Sequence, residues 1–122
     1  MTNEEKQLLL QDLFSRLPYL VKVNYNNLTD YILDVKLMTT HFVEKMKPYL
    51  RPLSSMTDEE KNYVKNRWCY DDWSDIYDFL NNYTITAGDA CDFIDWLNKK
   101  MFDYRGLIPM GIALPAPEGM YN

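Results

Sequence analysis

Glycine is scarce in this chain: four in 122 residues, none before position 88. A phosphate-cradling loop needs several glycines in one short run, so neither a Walker loop nor a dinucleotide fingerprint fits. Histidine is scarcer still. His41 stands alone, with no serine or cysteine at a spacing that marks a nucleophile and its base, and reads as a packing or surface residue. The two cysteines, Cys69 and Cys91, lack metal spacing and are expected as buried thiols without a disulfide. Cations are outnumbered: 13 Lys and Arg against 18 Asp and Glu give a net charge of −5, with a pI near 4.7. Wrapping a phosphate backbone requires clustered cations, so direct nucleic-acid binding is not expected. No stretch approaches the ~20 apolar residues that cross a bilayer. The first residues, MTNEEKQLLLQDLF, carry acids where a secretory leader carries bases, and their apolar run is only Leu8 to Leu10. These absences predict a soluble, cytoplasmic protein with no membrane contact.

What is present is a core. Hydrophobic residues make up 47% of the chain and aromatics 15%, and large rings bury much area each. The length fits a single domain over 1–122. Thr2 and Glu5 have capping-box spacing and predict a helix over 3–16, with Leu9, Leu10, Leu13, Phe14 and Leu17 as its apolar stripe and Pro18 as its stop. LVKVNY at 20–25 and YILDVKLM at 31–38 alternate like strands around an Asn26-Asn27 turn, and 39–43 offers a short third strand. A helix over 29–47 competes, since Ile32, Val35, Met38 and Phe42 also suit its period. Pro48 and Pro52 make 44–56 a loop or helical turn. Helices are then predicted over 57–68, opened by Thr57 and Glu60, over 72–81, and over 87–101, where Lys99 and Lys100 offset the macrodipole of the last turn.

The stretch Met101 to Tyr121, MFDYRGLIPMGIALPAPEGMY, is apolar yet broken by glycine and proline. Neither helix nor ladder survives that punctuation, and free tails are normally polar. Burying Leu107, Ile108, Met110, Ile112 and Leu114 at about 1.5–3 kcal/mol each would matter to a net stability of about 5–15 kcal/mol. The fold class predicted is α+β: an N-terminal helix, a small antiparallel β-meander, and a helical C-terminal half closed by an irregular apolar strap.

Four strings are more specific than composition. They are Arg16-Leu17-Pro18-Tyr19, then Lys47-Pro48-Tyr49-Leu50-Arg51-Pro52 running into Ser54-Ser55-Met56-Thr57, then Phe102 to Ile108, then Ala116 to Tyr121. Together they resemble an uncharacterised family of short proteins from gut-bacterial genomes and their mobile elements. The resemblance implies a small α+β cytoplasmic protein with these strings as its framework, and it carries over no catalytic residue. It also implies a glycine after the Tyr19 position and histidines near 99 and 100. Leu20, Lys99 and Lys100 stand there instead, so histidine chemistry at that helix end is absent from this chain.

Each candidate for chemistry has a plainer reading beside it. Asp71, Asp72, Asp75 and Asp78, and likewise Asp89, Asp92 and Asp95, fall at helical spacing, an arrangement that can share a hard cation. They also lie opposite the apolar stripes, where solvated residues belong, and they lack the glycine turn and closing glutamate of an EF-hand loop. No metal and no cofactor is expected. The run Trp68-Cys69-Tyr70-Asp71-Asp72-Trp73 has the make-up of a recognition platform or of a helix–helix corner. Tyr49, Arg51, Tyr104 and Arg105 are the polar members of the framework strings and either brace loops or meet a ligand. The reading carried forward is a non-enzymatic module that binds another protein, with Tyr70, Asp71, Asp72, Asp75, Asp78, Tyr49, Arg51, Tyr104 and Arg105 as its candidate surface. One alternative is an acidic decoy that occupies the nucleic-acid groove of a basic protein. The other is a small hydrolase with a cryptic carboxylate pair.

Overall fold

Thr2 opens the first helix as its chemistry dictates. The Glu5 amide donates to the Thr2 hydroxyl at 3.1 Å, and the Thr2 amide donates to the Glu5 carboxylate at 3.0 Å. This capping box starts α1, Asn3–Arg16. The computed structural model describes residues 1–26, 28–40, 43–68 and 87–121. Leu9 and Leu13 are fully buried, but Phe14, expected on their stripe, is 60% exposed. It lies about 140° round the helix from Leu9. The inward face is completed instead by Asp12 and Arg16, both buried. Pro18 then sits in a 3-10 turn, Leu17–Tyr19, that ends at Leu20 with φ 60 and ψ 45.

β1, Lys22–Tyr25, and β2, Leu28–Ile32, form an antiparallel hairpin that turns at Asn26 with φ 51. The strand expected over 31–38 is corrected: it ends at Ile32, and α2, Val35–Thr40, follows. Asp34 makes the switch. Its carboxylate accepts from the Leu37 amide at 2.7 Å, and its carbonyl accepts from the Met38 amide. That N-cap outweighs the alternation of apolar residues. The short strand proposed over 39–43 is corrected at its described residues, because Thr39 and Thr40 end α2 and Val43–Lys45 is a 3-10 turn. His41 and Phe42 lie outside the described residues. The competing helix over 29–47 is likewise cut down to α2.

The third strand, β3, is Met46–Leu50, inside the stretch expected to be a loop. Pro48 is tolerated there for a reason of register. The Asn26 amide donates to the Lys45 carbonyl at 3.1 Å, and antiparallel bonds alternate from that pair. Pro48, opposite Val23, therefore falls where no bond to β1 is formed. On its other side, pairing with β4, Leu114–Pro115, begins only at Tyr49. β4 runs parallel to β3, so the sheet has the order β2-β1-β3-β4 and is mixed. The all-antiparallel meander is corrected by this one strand, which the C-terminal strap supplies.

Thr57 and Glu60 form a second capping box that opens α3, Asp58–Trp68. The helix expected over 72–81 lies outside the described residues. The helix expected over 87–101 is α4, Ala87–Lys99. It stops in a Schellman turn: the Phe102 amide donates to Leu97 and the Met101 amide to Asn98, with Met101 at φ 63. Two cores result. α1, the sheet and the strap bury Leu9, Leu13, Val23, Leu50, Leu107 and Ile112; α3 and α4 bury Val64, Trp68, Phe93, Leu97 and Phe102. Within the strap Leu107 and Ile112 are buried, Ile108 and Leu114 half-buried, and Met110 exposed. Among the described residues no helix is long and apolar enough to cross a membrane.

Candidate functional site

Phe102 to Gly106 form the hinge between α4 and the strap, and each polar group there has a structural task. The Asp103 carboxylate accepts from the amides of Leu107 at 2.8 Å and Ile108 at 2.9 Å, which fixes the first turn of the strap. Gly106 supplies the φ of 76 that this turn requires. Arg16 donates to both oxygens of Asp12 at 3.0 Å and to the Phe102 carbonyl at 2.7 Å. Arg105 reaches the same Asp12 carboxylate at 2.6 Å and Ser15 at 3.2 Å. Two guanidiniums thus share one carboxylate, and both Asp12 and Arg16 are 0% exposed. The Tyr104 ring lies against both cations, at 4.6 Å from Arg105 and 5.5 Å from Arg16. Burial pushes the Tyr104 hydroxyl up from its ordinary pKa, against the pull of the two arginines.

Tyr121 holds the far end of the strap. Its hydroxyl accepts from the Lys22 amide at 2.9 Å and donates to the Tyr49 carbonyl at 2.7 Å. The alternation that excuses Pro48 makes Lys22 and Tyr49 the next bonded pair of β1 and β3. The phenol stands in that place, wedged into the ladder. Burial raises its pKa to about 12. Lys22 adds a bond from its ammonium to the Met120 carbonyl at 3.3 Å, and Ala116 donates to the Leu50 carbonyl at 2.8 Å.

Between the start of α3, the end of α4 and the strap lies a trough in two adjoining parts. One, about 640 Å³, is lined by Tyr63, Trp96, Lys99, Lys100, Glu59 and Glu60. The other, about 420 Å³, runs along the strap from Ala116 to Met120 and over Pro52 and Ser55. Arg51, Thr57 and Tyr121 border both parts. The floor is layered. Tyr63 stacks on Trp96 at 5.6 Å and 21°, Trp96 lies 5.7 Å from Phe102, and the Arg51 guanidinium sits 4.2 Å over Phe102. Arg51 is locked by two bonds to Glu60, at 2.9 and 2.7 Å, and by its own backbone, which bonds Met101 and Asp103. Burial would raise the Glu60 pKa, but hydrogen bonds from Arg51 and from the Thr57 amide outweigh it and hold the carboxyl below its ordinary value. Tyr63, at the rim, is 48% exposed.

Of the residues singled out in the sequence, Arg51 reaches the trough. Tyr49, Tyr104 and Arg105 are held inside the body: the Tyr49 hydroxyl accepts from Asn24 at 3.2 Å, and the Tyr104 hydroxyl donates to Asn98 at 3.0 Å. Tyr70, Asp71, Asp72, Asp75 and Asp78 lie outside the described residues. The second acidic set is divided: Asp89 and Asp92 converge on Arg67, and Asp95 accepts from Tyr19. That bond to Asp95 raises the Tyr19 pKa. Among the described residues no three His, Cys, Asp or Glu side chains gather in a metal-holding group. Cys91 is a free thiol, exposed where a buried one was expected. Tyr63, Trp96, Lys99 and Lys100 have trough positions that periodicity does not announce, since the same residues also suit a helix flank and a cationic last turn. No family model, curated protein or solved structure matches this chain.

Proposed function

We propose that the chain is a non-enzymatic protein-interaction module of a bacterial or mobile-element system, and that the trough is its contact surface. One observation carries this reading: a layered platform of Tyr63, Trp96, Phe102 and Arg51 is fixed by packing and by the Glu60 fork, yet is open at its Tyr63 rim. Rigid aromatic and arginine groups bind with little ordering cost, and they are the residue types that dominate interface energetics. The trough acids support a hydrolase poorly. Glu60 is committed to Arg51 and kept ionised, whereas a general acid needs a raised pKa. The strings that resemble the gut-bacterial family meet here too, as Arg51-Pro52, Ser55, Thr57 and Ala116 to Tyr121 line one half of the trough. The test places a photo-cross-linking residue at Tyr63 or, as a control, at exposed Leu20. Adducts in host cells from the Tyr63 probe, reduced by Trp96→Ala, are expected. Equal adducts from both sites, or adducts indifferent to Trp96→Ala, would overturn the proposal.

A further inference from the structure

We infer that the Trp96–Lys99–Lys100 end of the trough receives an acidic segment of the partner protein, one that carries a carboxylate beside an aromatic or aliphatic side chain. This deepens the proposed function and rests on it. The argument begins with charge. Arg51 and Glu60 cancel each other in a two-bond fork. What remains at this end of the trough is Lys99 and Lys100 against Glu59, a local positive excess on a chain of net −5. The three arginines outside the trough need no ligand, since Arg16, Arg67 and Arg105 each have a carboxylate partner. Lys99 and Lys100 are exposed, and no ion pair joins either to a carboxylate among the described residues.

Lysines near a helix end usually offset its dipole. Here three carbonyls of the last turn have partners from the main chain: Trp96 accepts from Lys100, Leu97 from Phe102, and Asn98 from Met101. Neither ammonium is needed to cap those three carbonyls, and attraction to the dipole requires no hydrogen bond, so both can donate to a ligand in the trough that they line. Beside them Trp96 and Tyr63 offer stacked ring surface, which an apolar side chain of the same segment can cover. The opposite end of the trough carries Glu118 instead, so the surface is polar along its length and sets the direction in which a segment lies. Its continuation past Arg51 to the strap favours an extended segment over a compact anion.

The test uses the full chain and three blocked pentapeptides: acetyl-Glu-Phe-Glu-Tyr-Glu-amide and its Gln-for-Glu and Lys-for-Glu counterparts. Amide and indole NMR shifts locate binding, and calorimetry measures it. The acidic peptide is expected to shift Lys99, Lys100 and the Trp96 indole, and to bind about tenfold more weakly to the double variant Lys99→Glu/Lys100→Glu. That variant should take the lysine peptide instead. Both positions are exposed, so the fold should persist; if melting shows that it does not, Lys99→Gln/Lys100→Gln replaces it with the same expected direction. An acidic peptide that binds no better than the glutamine peptide, or that ignores both lysine variants, overturns the inference. In that case the cross-linking result at Tyr63, which does not depend on charge, decides separately whether the trough is a contact surface at all.

Discussion

Tyr121→Phe removes one hydroxyl and leaves the ring. In the native chain that hydroxyl closes the β1–β3 ladder through the Lys22 amide and the Tyr49 carbonyl. Without it a donor and an acceptor between two strands lose their partner. An unsatisfied buried group costs about 1–3 kcal/mol; with Tyr121 half-buried, water relieves part of this, and about 2 kcal/mol is expected. At this chain length each kcal/mol moves Tm by roughly 3–5 °C, so a fall of roughly 6–10 °C should follow. The alkaline limb gives a second reading. Tyr121 has an ordinary value of 10.0 when unfolded and about 12 when folded. Between those values the unfolded chain has lost a proton that the folded chain keeps, so stability falls as pH rises. The contribution is whole below pH 10 and gone above pH 12, with an upper bound of about 3 kcal/mol. Denaturant melts from pH 8 to 12 should show wild type converging on Tyr121→Phe as pH climbs. Amide exchange should show Lys22 losing protection in the variant. An unchanged midpoint together with an unchanged Lys22 amide would refute the wedge.

Other perturbations test the same frame. Asp12→Ala strands Arg16 and Arg105 without their carboxylate, and a loss of about 3–5 kcal/mol is expected in urea melts; a loss below about 1 kcal/mol would mean the cluster is well solvated. Leu20→Gly should stabilise by about 0.5–1 kcal/mol, because Leu20 is held at φ 60 and the left-handed region costs an L-residue more than glycine loses in unfolded-state entropy; a lower Tm would contradict this. Glu60 has a lowered pKa, so its share of stability is present above the ordinary value of 4.5 and lost as pH falls through the folded value. Glu60→Gln should therefore flatten the acid limb of a pH melt, and an identical limb would exclude the Arg51 fork as its cause.

The sequence was most legible where one side chain acts on its near neighbours. Thr2 with Glu5 and Thr57 with Glu60 mark two helix starts, and the apolar content of 107–114 marks a packed strap despite its glycines and prolines. It was less legible where pairing partners lie far apart. β3 looks like a loop because Pro48 removes a donor, and only the register with β1 shows that the donor is not needed. Asp34 ends a plausible strand by capping a helix, a local signal that the alternation of Tyr31, Leu33, Val35 and Leu37 hides. Asp12 and Arg16 have the spacing of a solvent-facing helix pair, and their burial follows from Arg105, 93 residues from Asp12. The trough is assembled from α3, α4, Arg51 and the strap, so no single stretch of sequence carries its pattern.

The strap is tied down largely by side chains that address main-chain atoms. Tyr121 bonds an amide and a carbonyl, Asp103 two amides, and Arg16 a carbonyl. Every residue type but proline carries those same atoms. The constraint on variation is therefore one-sided: Tyr121, Asp103 and Arg16 should tolerate little, while Lys22, Leu107 and Ile108 are free, so far as these bonds go, to change for any non-proline side chain that suits their own packing. A saturation scan scored on folding would see that asymmetry as intolerant positions facing permissive ones across the same bond, and this chain could drift widely in sequence while keeping its closure.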